Sequence, residues 1–264
     1  MEVKAPAKVN WHLAVGKRRT DGYHPILSIF QTCSLCDVLD IEVGEGPFSI
    51  CVTGLEGLCE PGKSTLDKAA ILWHEETGFN GSLKVKIRKN IPSQAGLGGG
   101  SSDAASLLLY LNSIADKPLD FPSLMKLGAK VGCDVPFFVS RAGAAVVTGL
   151  GENVRPIAPR TDLRGFIIVT DGQKVSTRTA YEALDNRETV LPFEDEEELE
   201  KTYGMPVASW DFRNDFELVN TRPEIEVLPG EKLLLTGSGS CFVLLTERKK
   251  LTLKNGYRAI GVSF

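Results

Sequence analysis

The sequence predicts an α+β protein of two lobes divided near residue 155. Three observations carry this: the first 57 residues hold strand-like runs separated by turns, helix signals start only near residue 66 and alternate with strands, and a new series of short strands follows a Pro-containing segment at 155–160. Residues 1–155 are expected to form one lobe and 156–264 the other.

In chain order, residues 3–5, 9–15, 26–43 and 48–52 read as strands, with Asp21-Gly22 and 44–47 as the turns between them. The run 66–77 is the first helix signal and 83–87 a strand. A loop follows, Pro-Ser-Gln-Ala-Gly-Leu-Gly-Gly-Gly-Ser-Ser-Asp-Ala-Ala over 92–105, and a helix is expected to begin near Ser102. Residues 120–131 predict a third helix, with Asp120 able to cap it and Pro122 suited to its first turn. Beyond it, 142–148 reads as a strand, 166–170 as a buried strand and 177–184 as a short helix. Residues 193–201 read as a helix whose acidic run, Glu194 to Glu200, is a solvated face. Residues 233–235, 242–245 and 258–262 supply further short strands.

Composition narrows the classes of function. Of 264 residues, 42% are hydrophobic and 24% charged, the profile of a soluble globule. A net charge of −4 without a Lys/Arg-rich block argues against extended nucleic-acid binding. The N-terminal residues lack an apolar segment of signal-peptide length, and no run approaches the ~20 apolar residues of a membrane helix, so a cytoplasmic protein is expected. Six cysteines are too sparse for a disulfide scaffold in a chain of this length. Cys33 and Cys36 form a CxxC, but they lie inside a strand-like run with no second pair or histidines to complete a metal cage.

The glycine loop carries the first chemical signal. Glycines let bare backbone approach a ligand, and the first turn of the following helix leaves N–H groups without intrahelical partners, a combination suited to phosphate. A plain turn seldom needs Gly98, Gly99 and Gly100 in succession, each losing backbone entropy on ordering. The chain is therefore expected to bind a nucleotide.

A second phosphate motif competes. Gly57-Leu-Cys-Glu-Pro-Gly-Lys-Ser64 fits G-x-x-x-x-G-K-[ST], and the apolar strand ending in Asp171 resembles the partner that would hold a metal. Against it, Pro61 removes a backbone donor, Glu60 sets a negative charge where phosphates would lie, and the preceding chain is nearly all strand. Residues 61–64 read better as a turn, with Ser64 or Thr65 capping the next helix. A P-loop kinase using Gly57 to Ser64 remains the alternative.

Four segments together resemble the GHMP small-molecule kinases. They are Pro6-Ala-Lys8-Val-Asn10 with Arg19-Thr-Asp-Gly-Tyr23-His24, the glycine loop, Gly132-Cys-Asp134-Val-Pro136-Phe-Phe138, and Leu235-Thr-Gly-Ser-Gly-Ser240. The resemblance spans nearly the whole chain, and its most specific part points to members acting on a cytidine-diphosphate-linked methylerythritol. It implies a two-lobed GHMP kinase fold, with an N-terminal ribosomal-protein-S5-like lobe that binds nucleotide and a shortened C-terminal ferredoxin-like lobe that binds substrate, the active site lying in a cleft. It implies ATP-dependent phosphorylation of that substrate's 2-hydroxyl, with Mg²⁺ carried by ATP, no nucleic-acid or membrane partner, and a monomer or weak homodimer. Another alcohol substrate within the family, or a nucleotide-binding regulator without the chemistry, are the readings it competes with; the presence of Lys8 and Asp134 speaks against the regulator.

The same resemblance implies roles for particular residues. Pro92, Ser93, Gln94, Ala95, Gly96, Leu97, Gly98, Gly99, Gly100, Ser101 and Ser102 would wrap the triphosphate. Asp134 would take the substrate proton, with Lys8 beside it holding the carboxylate ionised and compensating charge at the phosphate, a sensible pairing because an ammonium lowers a carboxylate pKa. Tyr23 would stack on the cytosine, His24 would hydrogen-bond its edge with Asn10 nearby, and Tyr181 would complete the aromatic sandwich. Gly237 and Ser238 would face the diphosphate and erythritol. Taken singly, Lys8 reads as a lysine at a strand start and Asp134 as a cap. The chain departs from the family pattern at Ser64, where an Asn usually contacts the nucleotide, at 218–232, where helices are usual, and at 247–250, where another helix is usual. A trimmed C-terminal half is expected to bury less apolar surface.

Overall fold

The computed structural model describes residues 1–170, 176–187, 189–254 and 256–264, so Asp171 and Val175 lie outside the described residues. It divides into two compact units, each assembled from separate stretches: Met1–Ala7, Leu35–Ser93 and Gly98–Arg141 in the first, and Lys8–Ser34, Gln94–Leu97 and Ala142–Phe264 in the second. Two long strands, β1 (Glu2–Val15) and β2 (Ile26–Gly44), pair with each other and contribute to both. The sequence splits β1 at Pro6. The structure runs straight through it, because among the described residues β1 has only β2 as a strand neighbour, and an edge tolerates a missing donor.

In the first unit, the far half of β2 pairs antiparallel with β4 (Ser82–Arg88), from Val38 opposite Arg88 to Gly44 opposite Ser82, and β3 (Ser49–Thr53) lies parallel to β4. Leu83, Val85 and Ile87 are buried while Lys84, Lys86 and Arg88 point to solvent, the alternation of a sheet covered on one face. Four helices complete the unit: α1 (Thr65–Thr77), α2 (Gly99–Ile114), α3 (Phe121–Val131) and the short α4 (Val135–Val139). α1 buries Leu66, Ala69, Ala70 and Trp73, one face at helical spacing. α2 is buried at every position from Ser102 to Leu108, as expected of a helix packed against α1, α3 and α4 at once. Asp120 caps α3 by accepting from Ser123 N at 2.9 Å, with Pro122 in the first turn, as the sequence predicts. Five residues with a proline at the second gave α4 no periodic signal to read.

In the second unit, the near half of β2 pairs antiparallel with β5 (Ala144–Gly149), and β5 with β6 (Asn153–Ile157). Pro156 hides β6 from a propensity reading, yet β6 ends its sheet, where proline is allowed. A second, antiparallel sheet runs β10-β7-β9-β8, from β7 (Arg164–Thr170), β8 (Lys232–Leu235), β9 (Phe242–Leu245) and β10 (Tyr257–Ser263). Helices α5 (Thr177–Asp185) and α6 (Glu196–Gly204) start from the caps Ser176 and Asp195. Where the resemblance implies helices, at 218–232 and 247–250, the described residues hold none beyond Leu218, the last residue of a 3₁₀ turn. There the forked guanidinium of Arg248 is bound instead to Glu231, at 2.5 and 2.8 Å.

Candidate active site

The competing P-loop segment forms turns. Lys63 is ion-paired with Glu60, and Ser64 caps α1 in a capping box: its Oγ accepts from Asp67 N at 3.1 Å and its own N–H donates to the Asp67 carboxylate at 3.0 Å. The lysine and the serine that the motif needs for phosphate are both engaged otherwise, and the cap explains Ser64 at this position.

The glycine loop is built differently. Gln94, Gly96 and Gly98 have φ of 56°, 75° and 68°, so the segment turns through the left-handed region at alternate residues. Gly98 is the N-cap of α2, which starts at Gly99, three residues before the position the sequence suggests. Ser102 N donates to Gly98 O at 2.9 Å, closing the first intrahelical bond and leaving the N–H groups of Gly99, Gly100 and Ser101 unused by the helix. No acidic side chain stands in the first turn. An anion placed there meets oriented donors and the positive end of the helix dipole.

Within the second unit, loop residues 94–97 lie against β1 and the turn after β8. Lys8 N donates to Leu97 O at 3.0 Å, and Thr236 Oγ1 to Gly96 O at 3.4 Å. Lys8, Asn10 and this turn form one network: Lys8 Nζ donates to Asn10 Oδ1 at 2.6 Å, Gly237 N donates to the same oxygen at 3.0 Å, Asn10 N donates to Thr236 Oγ1 at 3.0 Å, and Asn10 Nδ2 to Ser28 Oγ at 2.9 Å. Lys8 is 3% exposed, with its ammonium 4.6 Å from the centre of the Phe30 ring. The structure thus joins Lys8, Asn10, Gly96, Leu97 and Gly237, which the sequence leaves far apart. Ser238 follows on the same turn, its Oγ 3.3 Å from Thr177 Oγ1.

Asp134 belongs to the first unit, on the turn between α3 and α4. It precedes α4 but does not cap it, so its carboxylate is not engaged with the helix end. A Cβ built on neighbouring Gly132 would stand 3.9 Å from Ser101 Oγ, which places this turn beside the first turn of α2.

Tyr23 is 58% exposed on the turn closed by Gly22, and His24 is buried. The His24 ring lies 5.2 Å from the Tyr181 ring, tilted 33°, and Tyr181 meets Phe216 edge-on at 4.9 Å. Both His24 nitrogens face acceptors: Nδ1 is 3.0 Å from Gly16 O and Nε2 3.2 Å from the Asp185 carboxylate. A hydrogen bond from His24 to a base therefore requires one of these partners to yield.

Residues 64–141, a span holding the whole glycine loop and Asp134, match the model of the GHMP kinases N-terminal domain. The 4-diphosphocytidyl-2-C-methyl-D-erythritol kinase of Shewanella baltica (strain OS155) is 32% identical over 244 residues, 90% of this chain and 82% of the relative. The chain belongs to the GHMP kinases. The enzyme of the same name from Pelobacter propionicus is 39% identical over 186 residues, 70% of this chain and 65% of that relative. A crystal structure of a 4-(cytidine 5'-diphospho)-2C-methyl-D-erythritol kinase matches the whole of both chains at 30% identity and a TM-score of 0.75.

Three residues in contact with the sequence-predicted ones received no individual role in the sequence reading. Thr236 ties β1 to the loop; Asn214 Nδ2 donates to Leu235 O at 3.0 Å and Gly237 O at 2.9 Å, holding the turn; Asp185 receives His24. Thr236 stands between strand and glycines, and Asn214 opens Asn-Asp-Phe-Glu217, a segment that resembles one supporting the cleft in the family, but neither says what it will touch. Gly96 shows how tight the packing is, since a Cβ there would stand 2.1 Å from Thr236 O. Gly96→Ala is expected to lower stability by about 1–3 kcal/mol through forced backbone strain and to raise KM for ATP. Chemical denaturation with steady-state kinetics checks this, and wild-type values for both would contradict the packing described.

Proposed function

We propose that this chain transfers the γ-phosphoryl group of ATP to the 2-hydroxyl of 4-diphosphocytidyl-2-C-methyl-D-erythritol. The observation that carries the proposal is the likeness to a kinase of that substrate along the full length of both chains. The geometry supports it with a helix start open to an anion, a buried lysine and a carboxylate not engaged in capping.

In the proposed reaction the 2-hydroxyl oxygen attacks the γ-phosphorus, the bond from that phosphorus to the β,γ-bridging oxygen breaks, and ADP leaves. Asp134 takes the hydroxyl proton. Lys8, held by Asn10 Oδ1, compensates charge on the transferred group. The N–H groups of 98–101 hold the triphosphate in line, and positioning with charge compensation supplies most of the rate, as phosphoryl transfer requires. Mg²⁺ is assigned to the nucleotide, which carries it and whose charge it neutralises; among the described residues no three His, Cys, Asp or Glu side chains cluster as a ligand set. We place the enzyme in the cytoplasm as a monomer or weak homodimer, with lobes at 1–155 for nucleotide and 156–264 for substrate.

For the nucleoside we propose stacking between Tyr23 and Tyr181, with His24 and Asn10 at its edge and Gly237 and Ser238 toward the diphosphate. Losing one stacked face removes roughly 1–3 kcal/mol. Tyr23→Ala is therefore expected to raise KM for the cytidine substrate by about 5- to 100-fold and to leave KM for ATP unchanged. Equal shifts in both constants would remove Tyr23 from the nucleoside site. The function itself is tested by incubating the protein with ATP, Mg²⁺ and a panel of alcohols that includes mevalonate, homoserine and galactose. Phosphorylation of the cytidine-linked substrate alone is expected; preference for another alcohol would overturn the assignment.

A further inference from the structure

Beside the start of α2 lies a group of buried charges with no part in the chemistry above. Lys89, just after β4, sets its ammonium against two carboxylates: Asp37 on β2, and Asp103 on α2 at 2.8 Å. Asp37 is fully buried and Asp103 is 3% exposed. Asp37 Oδ1 also accepts the backbone N–H groups of Asn90 at 2.6 Å and Ile91 at 2.9 Å. One ammonium therefore fastens both the chain entering the glycine loop and the helix leaving it. A Cβ on Gly99 would meet Lys89 Nζ at 3.3 Å, so the cluster lies directly beside the first residue of α2.

The charges do not balance. With both carboxylates ionised the cluster carries a net −1, and Asp103 Oδ1 is buried with no hydrogen-bond partner. Burial pushes the Asp103 carboxyl up, Lys89 draws it back and Asp37 pushes it up again, leaving it at about 7. Lys89 is raised: burial works against its charge, and the two carboxylates more than offset burial. The charged groups acting most strongly on Asp103 are Lys89 after β4 and Asp37 on β2.

We infer that Asp37, Lys89 and Asp103 form a positioning device for the phosphate loop: they fix both ends of the loop, and their net charge sets how strongly the start of α2 attracts the triphosphate. This rests on the assignment of 92–102 to ATP phosphates. As pH falls through about 7, Asp103 gains a proton, the cluster passes from −1 to 0, and affinity for the anionic nucleotide rises. Asn at position 103 is neutral at every pH and so marks the endpoint.

Calorimetric titration of wild type and Asp103→Asn with ATP and Mg²⁺ from pH 6 to pH 8 tests this, because the ratio of the two affinities cancels the nucleotide's own titration. The variant is expected to bind about fivefold more tightly than wild type at pH 8 and equally at pH 6. A ratio that does not change with pH, or weaker binding at every pH, would overturn the inference. Lys89→Met is expected to weaken ATP binding about tenfold or more with a smaller change in kcat, and Lys89→Arg to restore most of it. Failure of Lys89→Met to fold leaves the Asp103→Asn ratio as the deciding readout. Wild type that binds no ATP at any pH would defeat the phosphate-loop assignment and this inference with it, whereas ATP binding with a flat ratio defeats the inference alone.

Discussion

Asp134→Asn is expected to give a folded protein whose kcat falls by about 10²- to 10⁴-fold, the usual worth of a positioned general base. The side chain is nearly isosteric, and no side-chain cap bond to α4 is lost with it. What disappears is the lone pair that, in the proposed reaction, takes the hydroxyl proton as the oxygen attacks phosphorus. KM for ATP should change little, because the amides at the start of α2 are untouched. Circular dichroism with steady-state kinetics separates the outcomes, and near-normal turnover would remove Asp134 from the chemistry.

The second large effect is expected at Lys8. Its ammonium is buried, donates to Asn10 Oδ1 at 2.6 Å and lies over the Phe30 ring, so it is held in one place before any substrate arrives. A fixed cation needs no reorganisation as charge develops on the transferred group, and removing such a stabiliser costs about 10²- to 10³-fold in kcat. Lys8→Ala should show that loss with a folded structure, since Gly237 N still binds Asn10 Oδ1 and the Thr236 contacts remain. Some stability will go as well, because the lysine stem leaves the surface it covers. Turnover within a few-fold of wild type would exclude the proposed role.

The two residues show how far sequence carries. Strands such as 82–88 were readable from their composition and the turns that bound them, and α3 from its cap and proline, because those signals are local. The glycine loop was readable for the same reason: several consecutive glycines before a helix make sense mainly where backbone must approach something. Pro6 and Pro156 obscured strands, since a residue excluded from a ladder centre says nothing about whether it sits at an edge. α4 was too short to carry a period. Lys8 and Asp134 carried no local signal of function and were singled out only by matching several segments jointly.

What no local pattern contains is the pairing of distant stretches. Lys8 meets Leu97, and Asn10 meets Thr236, through hydrogen bonds spanning up to 226 residues of chain, and Asp37, Lys89 and Asp103 meet because β2, β4 and α2 converge. Asp103 reads as one more letter of a loop motif, although it is a buried acid held by a lysine 14 residues earlier. Ser64 is the opposite case: a departure from the family's usual residue whose local job, capping α1, is visible both in the sequence and in the structure.

The central claim is that ATP is held by its phosphates at the start of α2. A crystal structure with a non-hydrolysable ATP analogue and Mg²⁺ tests it most directly. Density for the β- and γ-phosphates within hydrogen-bonding distance of the N–H groups of residues 98–101 is the predicted result. Phosphates lodged at Lys63, with the glycine loop bare, would contradict it.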